Sequence, residues 1–264
     1  MYGAVFGDII GSTYELHNVK TENFELFPSE SQFTDDTVLS IAVAEKILNQ
    51  KNSYINDRKS YALWYKQYYR RYPNAGYGQM FTSWAQSGDL YVQRSFGNGG
   101  AMRVTAIGYA YDSIKEIKKQ VKYSCYYTHH HHEAIKGAQA VATAVFMARK
   151  GCDKEEIKKY IVKNFGYKLE ITLDEMRDKY VFDSRTSYSV PPALEAFLES
   201  NSYEDAIRKA ISIGGDSDTI ACMTGGIAHA YYKNIPKEIY NRGIMFLDSG
   251  INKVLKEFSQ KYEI

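Results

Sequence analysis

Residues 214–219 read Gly-Gly-Asp-Ser-Asp-Thr and lead directly into the small apolar run Ile-Ala-Cys-Met at residues 220–223. A second segment, Thr-Asp-Asp-Thr at residues 34–37, leads in the same way into Val-Leu-Ser-Ile-Ala-Val at residues 38–43. Asp and Thr beside an apolar run are typical of helix N-termini, where a side-chain oxygen accepts a backbone N–H. Each segment therefore predicts the start of a buried helix, and capping alone can explain either one.

The number of acids exceeds what two helix caps need. One helix start uses one or two side-chain acceptors, whereas each segment carries two Asp together with Thr. If the two segments converge, their four carboxylates raise one another's pKa unless cations neutralise them. A donor set made only of oxygen favours hard cations, so the pattern indicates magnesium or manganese rather than zinc.

Two other acidic motifs fit these segments poorly. An EF-hand loop beginning at Asp216 needs Gly at its sixth position and Glu at its twelfth, where the chain has Ala221 and Ile227. Ser217 follows Gly and Asp as in a serine-hydrolase block, but the Gly-x-Ser-x-Gly pattern is absent. A nucleophilic Ser217 stays open as an alternative.

Composition bounds the class of protein. The 264 residues contain no linker rich in Pro, Gly or Ser and no repeat, which predicts one domain over residues 1–264. Lys and Arg number 33 against 31 Asp and Glu, so no basic field draws the chain to nucleic acid or to a membrane. A small molecule or a modified protein is the expected partner, and a monomer is expected. No signal peptide or membrane-spanning run is evident, which predicts a cytoplasmic location.

Apolar residues recur at intervals of three and four along most of the chain, and this spacing is typical of helices. The predicted fold is all-α, a compact single-domain orthogonal helical bundle with a metal site at helix termini. Helices are predicted at residues 35–50, 57–72, 100–111, 113–124, 133–150, 153–165, 193–200, 203–213, 218–232 and 251–262. Two short strands are predicted, at residues 23–27 and 180–183.

Five motifs occur in order along the chain. They are Gly-Asp-Ile-Ile-Gly-Ser-Thr-Tyr-Glu at residues 7–15, the segment at residues 34–37, Ser-Phe-Gly-Asn-Gly-Gly-Ala-Met-Arg at residues 95–103, Thr128-His129, and residues 214–219. Together they resemble the ADP-ribosylglycohydrolases, the family of the dinitrogenase reductase activating glycohydrolase. The resemblance implies an all-α fold that holds two Mg²⁺ or Mn²⁺ ions. It also implies cleavage of the glycosidic bond at the anomeric carbon of an ADP-ribosyl group.

The same resemblance implies roles for individual residues. The metal ligands that it implies are Thr34, Asp35, Asp36, Asp216, Asp218 and Thr219. Glu15 matches an acidic residue at the metal centre that guards the substrate entrance, and His129 matches a contact on the ribose side. The loop that holds the diphosphate and packs against the adenosine side is matched by Ser95, Phe96, Gly97, Asn98 and Gly99.

Glycine chemistry supports the role of this loop independently of the resemblance. Backbone at Gly97, Gly99 and Gly100 can approach a diphosphate closely and point N–H groups at it. The loop also leads into the helix predicted at residues 100–111, whose N-terminal dipole favours an anion. A glycine-rich turn without a ligand is the alternative, and the acidic segments weigh against it.

Hydrolysis at the ribose passes through an oxocarbenium-like transition state and needs a positioned water, whose proton a carboxylate must take. Asp36 or Asp218 is the predicted base, with Glu15 as the third candidate, and the sequence does not choose among them. The acceptor group that leaves is also open. Two other functions remain: a non-catalytic ADP-ribose binder or structural protein that has kept the fold, and a two-metal phosphatase or nucleotidase.

Overall fold

A computed structural model describes residues 1–50 and 56–264. Within these ranges the α-helices are α1 (Tyr2–Leu16), α2 (Asp35–Leu48), α3 (Asp57–Arg71), α4 (Gln79–Gln86), α5 (Thr105–Ala110), α6 (Ile114–Cys125), α7 (His132–Arg149), α8 (Lys154–Phe165), α9 (Leu173–Arg177), α10 (Thr186–Glu199), α11 (Tyr203–Ser212), α12 (Ser217–Tyr232), α13 (Lys237–Gly243) and α14 (Ser249–Tyr262). Short 3-10 turns occur at Asn98–Gly100 and Ile244–Phe246. These described ranges contain isolated β-bridges but no β-strand, so the all-α prediction is confirmed.

Helix α1 lies directly on α12, and three glycines allow this close approach. A Cβ on Gly3, Gly7 or Gly11 would collide with the backbone of α12. At Gly11 the nearest atom of α12 is the Cα of Asp218, 2.5 Å from where that Cβ would lie. Because glycine recurs at every fourth residue, one face of α1 is free of side chains along its contact with α12. The contact brings the end of α1 beside the acidic start of α12.

The other helices pack around this pair. Helix α12 also contacts α7, α10 and α11, while α2 packs on α3 and α14. Buried side chains of these helices form one continuous hydrophobic core, as a single compact domain requires. None of the described helices is long and apolar enough to cross a membrane. The three cysteines form no disulfide.

Two loops contradict the strand predictions. Residues 23–27 and 180–183 are irregular, and Phe24, Phe27 and Tyr180 pack against the helical core instead of pairing in a sheet. The Phe24 ring, for example, lies 4.8 Å from the ring of Tyr14 on α1. An aromatic-rich stretch suits a strand, but it suits equally a loop that covers a core.

Helix α10 begins at Thr186, earlier than the predicted residue 193, and it contains Pro191 and Pro192. Proline lacks the N–H that a helix uses to bond the carbonyl four residues earlier. The carbonyl that Pro192 leaves without this bond is that of Tyr188, and it accepts the hydroxyl of Tyr180 at 3.1 Å. A tertiary contact thus compensates for proline inside the helix.

The glycine loop at residues 97–100 does not lead into a long helix. A 3-10 turn covers Asn98–Gly100, and α5 covers only Thr105–Ala110. The prediction of a helix over residues 100–111, and of its dipole acting at the loop, is therefore wrong. Helices α1, α4, α9 and α13 also lie outside the predicted ranges.

Candidate active site

The two acidic segments converge at the N-termini of α2 and α12. The hydroxyl of Thr219 donates to Oδ2 of Asp36 at 3.0 Å, across 183 positions of sequence. Carboxylate oxygens of Asp8, Asp36 and Asp218 lie within 4.8 Å of one another, and so do those of Glu15, Asp216 and Asp218. Asp218 belongs to both groups, so these carboxylates form one acidic cluster.

Asp8 of α1 holds the start of α2 in place. Thr34 caps this helix, because its Oγ1 accepts the N–H of Asp36 at 3.4 Å. The Thr34 hydroxyl donates to Oδ1 of Asp8 at 2.6 Å, while Oδ2 of Asp8 accepts the N–H groups of Thr34 and Thr37 at 2.9 and 3.0 Å. The N–H groups of Asp36 and Thr37 in the first turn of α2 are therefore satisfied by Thr34 and Asp8. The side chains of Asp35 and Asp36 are not needed as caps.

Asp8 is a site residue that the sequence did not single out, although it stands in the motif at residues 7–15. It precedes Glu15 by two helical turns, so the two carboxylates share one face of α1. This spacing is the signal that could have identified it. The signal has meaning only once residues 2–16 are known to be a helix.

The start of α12 is shaped by two glycines in the left-handed conformation. Gly214 and Gly215 have φ of 69° and 76°, values that other residues rarely adopt. Asp216 stands at the N-cap, but its side chain makes no capping hydrogen bond. Its Oδ2 instead accepts Nδ2 of Asn98 at 2.8 Å. Capping therefore does not account for the carboxylate of Asp216.

Burial and mutual repulsion raise the pKa of the carboxyls in the cluster. The pKa of Asp35 rises to about 8, first because it is buried and then because neighbouring carboxylates repel its charge. The same two causes raise the pKa of Asp36 and Asp218 well above the usual range. Burial, and then Asp216, raises the pKa of Glu15. Without cations the cluster would retain protons near neutral pH.

The donor set fits hard divalent cations such as magnesium or manganese. Both groups of converging acids consist of carboxylates alone. Oδ1 of Asp36 is buried, and no described residue donates a hydrogen bond to it. The hydroxyls of Thr34 and Thr219 give their protons to carboxylates, which leaves oxygen lone pairs available. These features match what oxygen-preferring cations require.

A cavity of about 390 Å³ opens beside the acidic cluster. It is lined by twelve of the thirteen predicted site residues: Glu15, Thr34, Asp35, Asp36, Ser95, Gly97, Asn98, Gly99, His129, Asp216, Asp218 and Thr219. The exception is Phe96, which is half exposed and packs its ring edge-on against His131 at 5.7 Å. The structure therefore brings the acids and the glycine loop to one cavity and places the Phe96 side chain outside its lining.

Two further segments line the cavity and were not predicted. One is the start of α4 with the residues before it, including Gly76, Gly78 and Met80, and the other is the pair Phe182 and Ser184 before α10. Met80 and Phe182 are both about half exposed. These segments carry no acid, His or Cys into the cavity, so they hold no chemical signal that a sequence motif could reveal.

Backbone contacts fix the glycine loop. The N–H of Asn98 donates to the carbonyl of Ser184 at 2.8 Å, and the hydroxyl of Thr186 donates to the carbonyl of Gly97 at 2.7 Å. The Asn98 side chain donates to Ser189 Oγ and to Asp216 Oδ2, both at 2.8 Å. Asn98 thus ties the loop to the acidic cluster with its side chain.

His129 is buried beside the glycine loop. A Cβ on Gly99 would lie 3.1 Å from its Nε2, so a glycine lets the loop lie against the ring edge. Its Nδ1 is hydrogen-bonded to Oγ1 of Thr128 at 2.9 Å. Burial lowers the pKa of His129 well below the usual range, and the charge of Arg103 lowers it further. The ring is therefore neutral at physiological pH.

Comparisons with known proteins agree with this picture. The family model described as ADP-ribosylglycohydrolase matches residues 1–258. ADP-ribosylhydrolase ARH3 of Mus musculus is 27% identical in an alignment of 307 positions, gaps included. The alignment covers 87% of this chain and 82% of that protein. ADP-ribosylarginine hydrolase Tri1 of Pseudomonas putida (strain GB-1) is 28% identical in an alignment of 262 positions, gaps included. That alignment covers 88% of this chain and 69% of that protein.

A solved structure titled ADP-ribosylglycohydrolase-related protein complex has the same fold. It superposes with a TM-score of 0.70 at 22% identity and covers 98% of this chain and 96% of that one. The five motifs, the all-α fold and the family model, which spans nearly all of the sequence, agree with one another. The chain therefore belongs to the ADP-ribosylglycohydrolase family.

Proposed function

We propose that this protein is a metal-dependent hydrolase that cleaves the glycosidic bond between ADP-ribose and an acceptor group and releases ADP-ribose. One observation carries the proposal: the acidic cluster and the glycine loop with His129 line a single cavity. Relatives named ADP-ribosylhydrolase and ADP-ribosylarginine hydrolase support it. The acceptor is a side chain of an ADP-ribosylated protein or a related conjugate. The protein acts as a cytoplasmic monomer and needs no nucleic acid or membrane.

The carboxylates of Glu15, Asp35, Asp36, Asp216 and Asp218 form one wall of the cavity, here called the acidic wall. This wall would hold two Mg²⁺ or Mn²⁺ ions. The proposed ligands are Thr34, Asp35, Asp36, Asp216, Asp218 and Thr219. When bound, such ions orient the hydroxyls of the substrate ribose and lower the pKa of water. The protein's own part is to place oxygen donors from α2 and α12 at one point and to exclude bulk water by burial.

Asp36 or Asp218 accepts the proton of the attacking water in this proposal, with Glu15 as the third candidate. All three line the cavity. Asp8 is a poorer candidate, because it does not line the cavity and its oxygens already accept from Thr34 and Thr37. A general base needs a free oxygen within hydrogen-bond reach of the water.

A second wall of the cavity, here called the glycine wall, binds the other end of the substrate. It consists of Ser95, Gly97, Asn98, Gly99 and His129. Ser95, Gly97, Asn98 and Gly99 hold the diphosphate, and His129 contacts the ribose side. These residues carry no negative charge, so an anionic diphosphate avoids the repulsion that it would meet at the acids. The Asn98 side chain bonded to Asp216 fixes the distance between the two ends.

Product analysis tests the proposal. Purified protein is incubated with peptides ADP-ribosylated on Arg or Ser and with O-acetyl-ADP-ribose, in magnesium, manganese or EDTA. Free ADP-ribose and intact acceptor are expected with the metals and neither with EDTA. AMP or phosphate would identify a phosphatase or nucleotidase. Tight ADP-ribose binding without turnover of any conjugate would identify a binding protein.

A further inference from the structure

Arg103 is fully buried behind the glycine wall, and no described carboxylate pairs with it. Its Nη2 donates to the carbonyl of Ser124 at 3.2 Å and to Oγ1 of Thr128 at 2.7 Å. The guanidinium also lies over the ring of Tyr65, 4.2 Å from the centroid. Within the described residues its Nε and Nη1 have no partner. Burying a charge with so few contacts is costly, which points to a function for Arg103 beyond stability.

The hydroxyl of Thr128 connects Arg103 to His129. A guanidinium only donates hydrogen bonds, so Thr128 Oγ1 must be the acceptor from Arg103. The same oxygen lies 2.9 Å from Nδ1 of His129. A hydroxyl carries one proton. Among the described residues, Nδ1 of His129 is the only partner left to accept the proton of the Thr128 hydroxyl. If Nδ1 also donated to this oxygen, the hydroxyl proton would have no partner among the described residues. The arrangement that satisfies the buried hydroxyl is therefore donation of its proton to an unprotonated Nδ1.

A neutral imidazole with an unprotonated Nδ1 carries its proton on Nε2. In His129 this nitrogen lies at the glycine loop, 3.1 Å from where a Cβ on Gly99 would stand. Thr128, His129, Gly97 and Gly99 all line the cavity. An N–H donor consequently stands where the loop meets the substrate space.

We propose that Arg103 and Thr128 are positioning residues that fix His129 in its Nε2–H tautomer, so that His129 offers the substrate a neutral N–H donor. The other tautomer would turn a lone pair toward the substrate, and a phosphate oxygen, which has no proton to donate, would be repelled by it. The substrate half of this inference rests on the proposed function, in which that oxygen belongs to ADP-ribose. The tautomer half is a property of the free protein.

Nitrogen NMR on the full chain, labelled with ¹⁵N-histidine and free of substrate, tests the tautomer directly. The signals of His129 are assigned by their loss in His129→Gln. We expect one neutral Nε2–H tautomer between pH 6 and pH 8. Thr128→Val removes the hydroxyl at nearly constant shape and should give a mixture of tautomers, while Thr128→Ser should restore the single form. An Nδ1–H or mixed tautomer in the natural protein overturns the proposal, as does a Thr128→Val protein that keeps pure Nε2–H.

Substrate binding tests the second half. In Thr128→Val we expect KM for the conjugate and Kd for ADP-ribose to rise about tenfold while kcat changes less than threefold, and Thr128→Ser should recover both. Unchanged affinity beside an altered tautomer overturns this half without touching hydrolysis, since turnover is measured separately. If neither conjugate turnover nor ADP-ribose binding is found in the natural protein, the proposed function fails while the tautomer result stands.

A second variant covers the case in which Thr128→Val does not fold. Arg103→Met keeps the length and removes the donor, so the hydroxyl of Thr128 can turn and accept from Nδ1–H. A mixed tautomer is expected, with the same rise in KM. Circular dichroism melting establishes that each variant is folded, and a pure Nε2–H tautomer in folded Arg103→Met overturns the role of Arg103.

Discussion

The two walls of the cavity solve opposite electrostatic problems. The acidic wall gathers carboxylates from α1, α2 and α12, and burial and the neighbouring carboxylates raise the pKa of Asp35, Asp36 and Asp218. The glycine wall presents backbone and a neutral His129 to the cavity, with the buried cation Arg103 behind it. One wall must take its positive charge from solution, whereas the other carries it within the fold. In the proposed function this gradient favours one orientation of the substrate, with the reacting ribose at the acidic wall and the diphosphate at the glycine wall.

The largest effect is expected on the acidic wall. Asp36→Asn and Asp218→Asn should each lower turnover by about 10³-fold or more, because each removes a carboxylate from the same cluster. The double variant should be scarcely worse than either single one, since the two residues act as a unit. Steady-state kinetics of all three variants measures this cycle, with the exposed Asp89→Asn as a control that leaves turnover unchanged. Additive losses in free energy would mean that the two segments work independently.

Metal removal should make stability depend on pH through the acidic wall. The pKa of Asp35 is about 8 in the folded chain against 3.8 ordinarily, so the folded state binds the extra proton. The metal-free protein should therefore lose stability as the pH rises from about 4 to about 8. Ions at 100 times their Kd should add about 2.7 kcal/mol. At one fixed ion concentration the gain should be larger at pH 8 than at pH 6, because protons compete with the ions for the carboxylates.

Urea unfolding with EDTA or with magnesium, at both pH values, measures this effect. Asp35→Asn is the matched control, because without the titrating carboxyl the metal-free slope should become shallower. A chelated natural protein that is more stable at pH 8 than at pH 6 would contradict the sign. In a separate thermal melt, a melting temperature unchanged by magnesium, manganese or EDTA would contradict the metal site itself.

A moderate effect is expected on the glycine wall. The Cβ of Gly99→Ala would stand 3.1 and 3.2 Å from two atoms of the His129 ring, so the ring must move by a few tenths of an ångström. We expect KM to rise roughly tenfold with kcat changed less than threefold, because the chemistry lies on the other wall. Gly88→Ala is the control, since nothing stands within 4 Å of its Cβ. A fall in kcat with constant KM would mean that the two walls are not separate in function.

The smallest effect is expected from Ser217→Ala, between the acids of α12. Its hydroxyl turns away from the cavity toward the carbonyls of Tyr14 and Gly215, at 3.3 and 3.4 Å. Turnover should stay within about twofold, with a stability loss of about 1 kcal/mol. A loss as severe as that of Asp216→Ala, with metal still bound, would instead support a serine nucleophile.

The parts of the fold that sequence predicts best are those where one segment carries two signals. Thr34 and the acids after it signal both a helix start and a ligand set, and the same holds at residues 216–219. Accordingly α2 begins at Asp35 as predicted, and α12 covers Ser217–Tyr232 against the predicted residues 218–232. The surplus of carboxylates makes the convergence of these two starts an expectation, and the contacts across them confirm it.

The parts that sequence predicts poorly depend on contacts between distant segments. Glycine disfavours helices, so nothing local reveals that Gly3, Gly7 and Gly11 are needed for the contact with α12. Asp8 could not be recognised without that helix. Pro191 and Pro192 conceal the first half of α10 for the same reason, since the compensating hydroxyl of Tyr180 comes from another segment. The roles of the ligands and of the loop at residues 95–99 stay predictions that the experiments above address.

The glycine contact between α1 and α12 also sets when the protein can become active. Gly11 leaves the ribosome well before Asp218, its neighbour in the folded chain, which lies about 200 residues later in the sequence. At the usual synthesis rate of roughly 5 to 20 residues per second, about 10 to 40 s separate the two. During that interval no acidic cluster exists, so a nascent chain has no site at which to capture a divalent cation. In the proposed function, ion binding would therefore require that both α1 and the start of α12 have been made and have met.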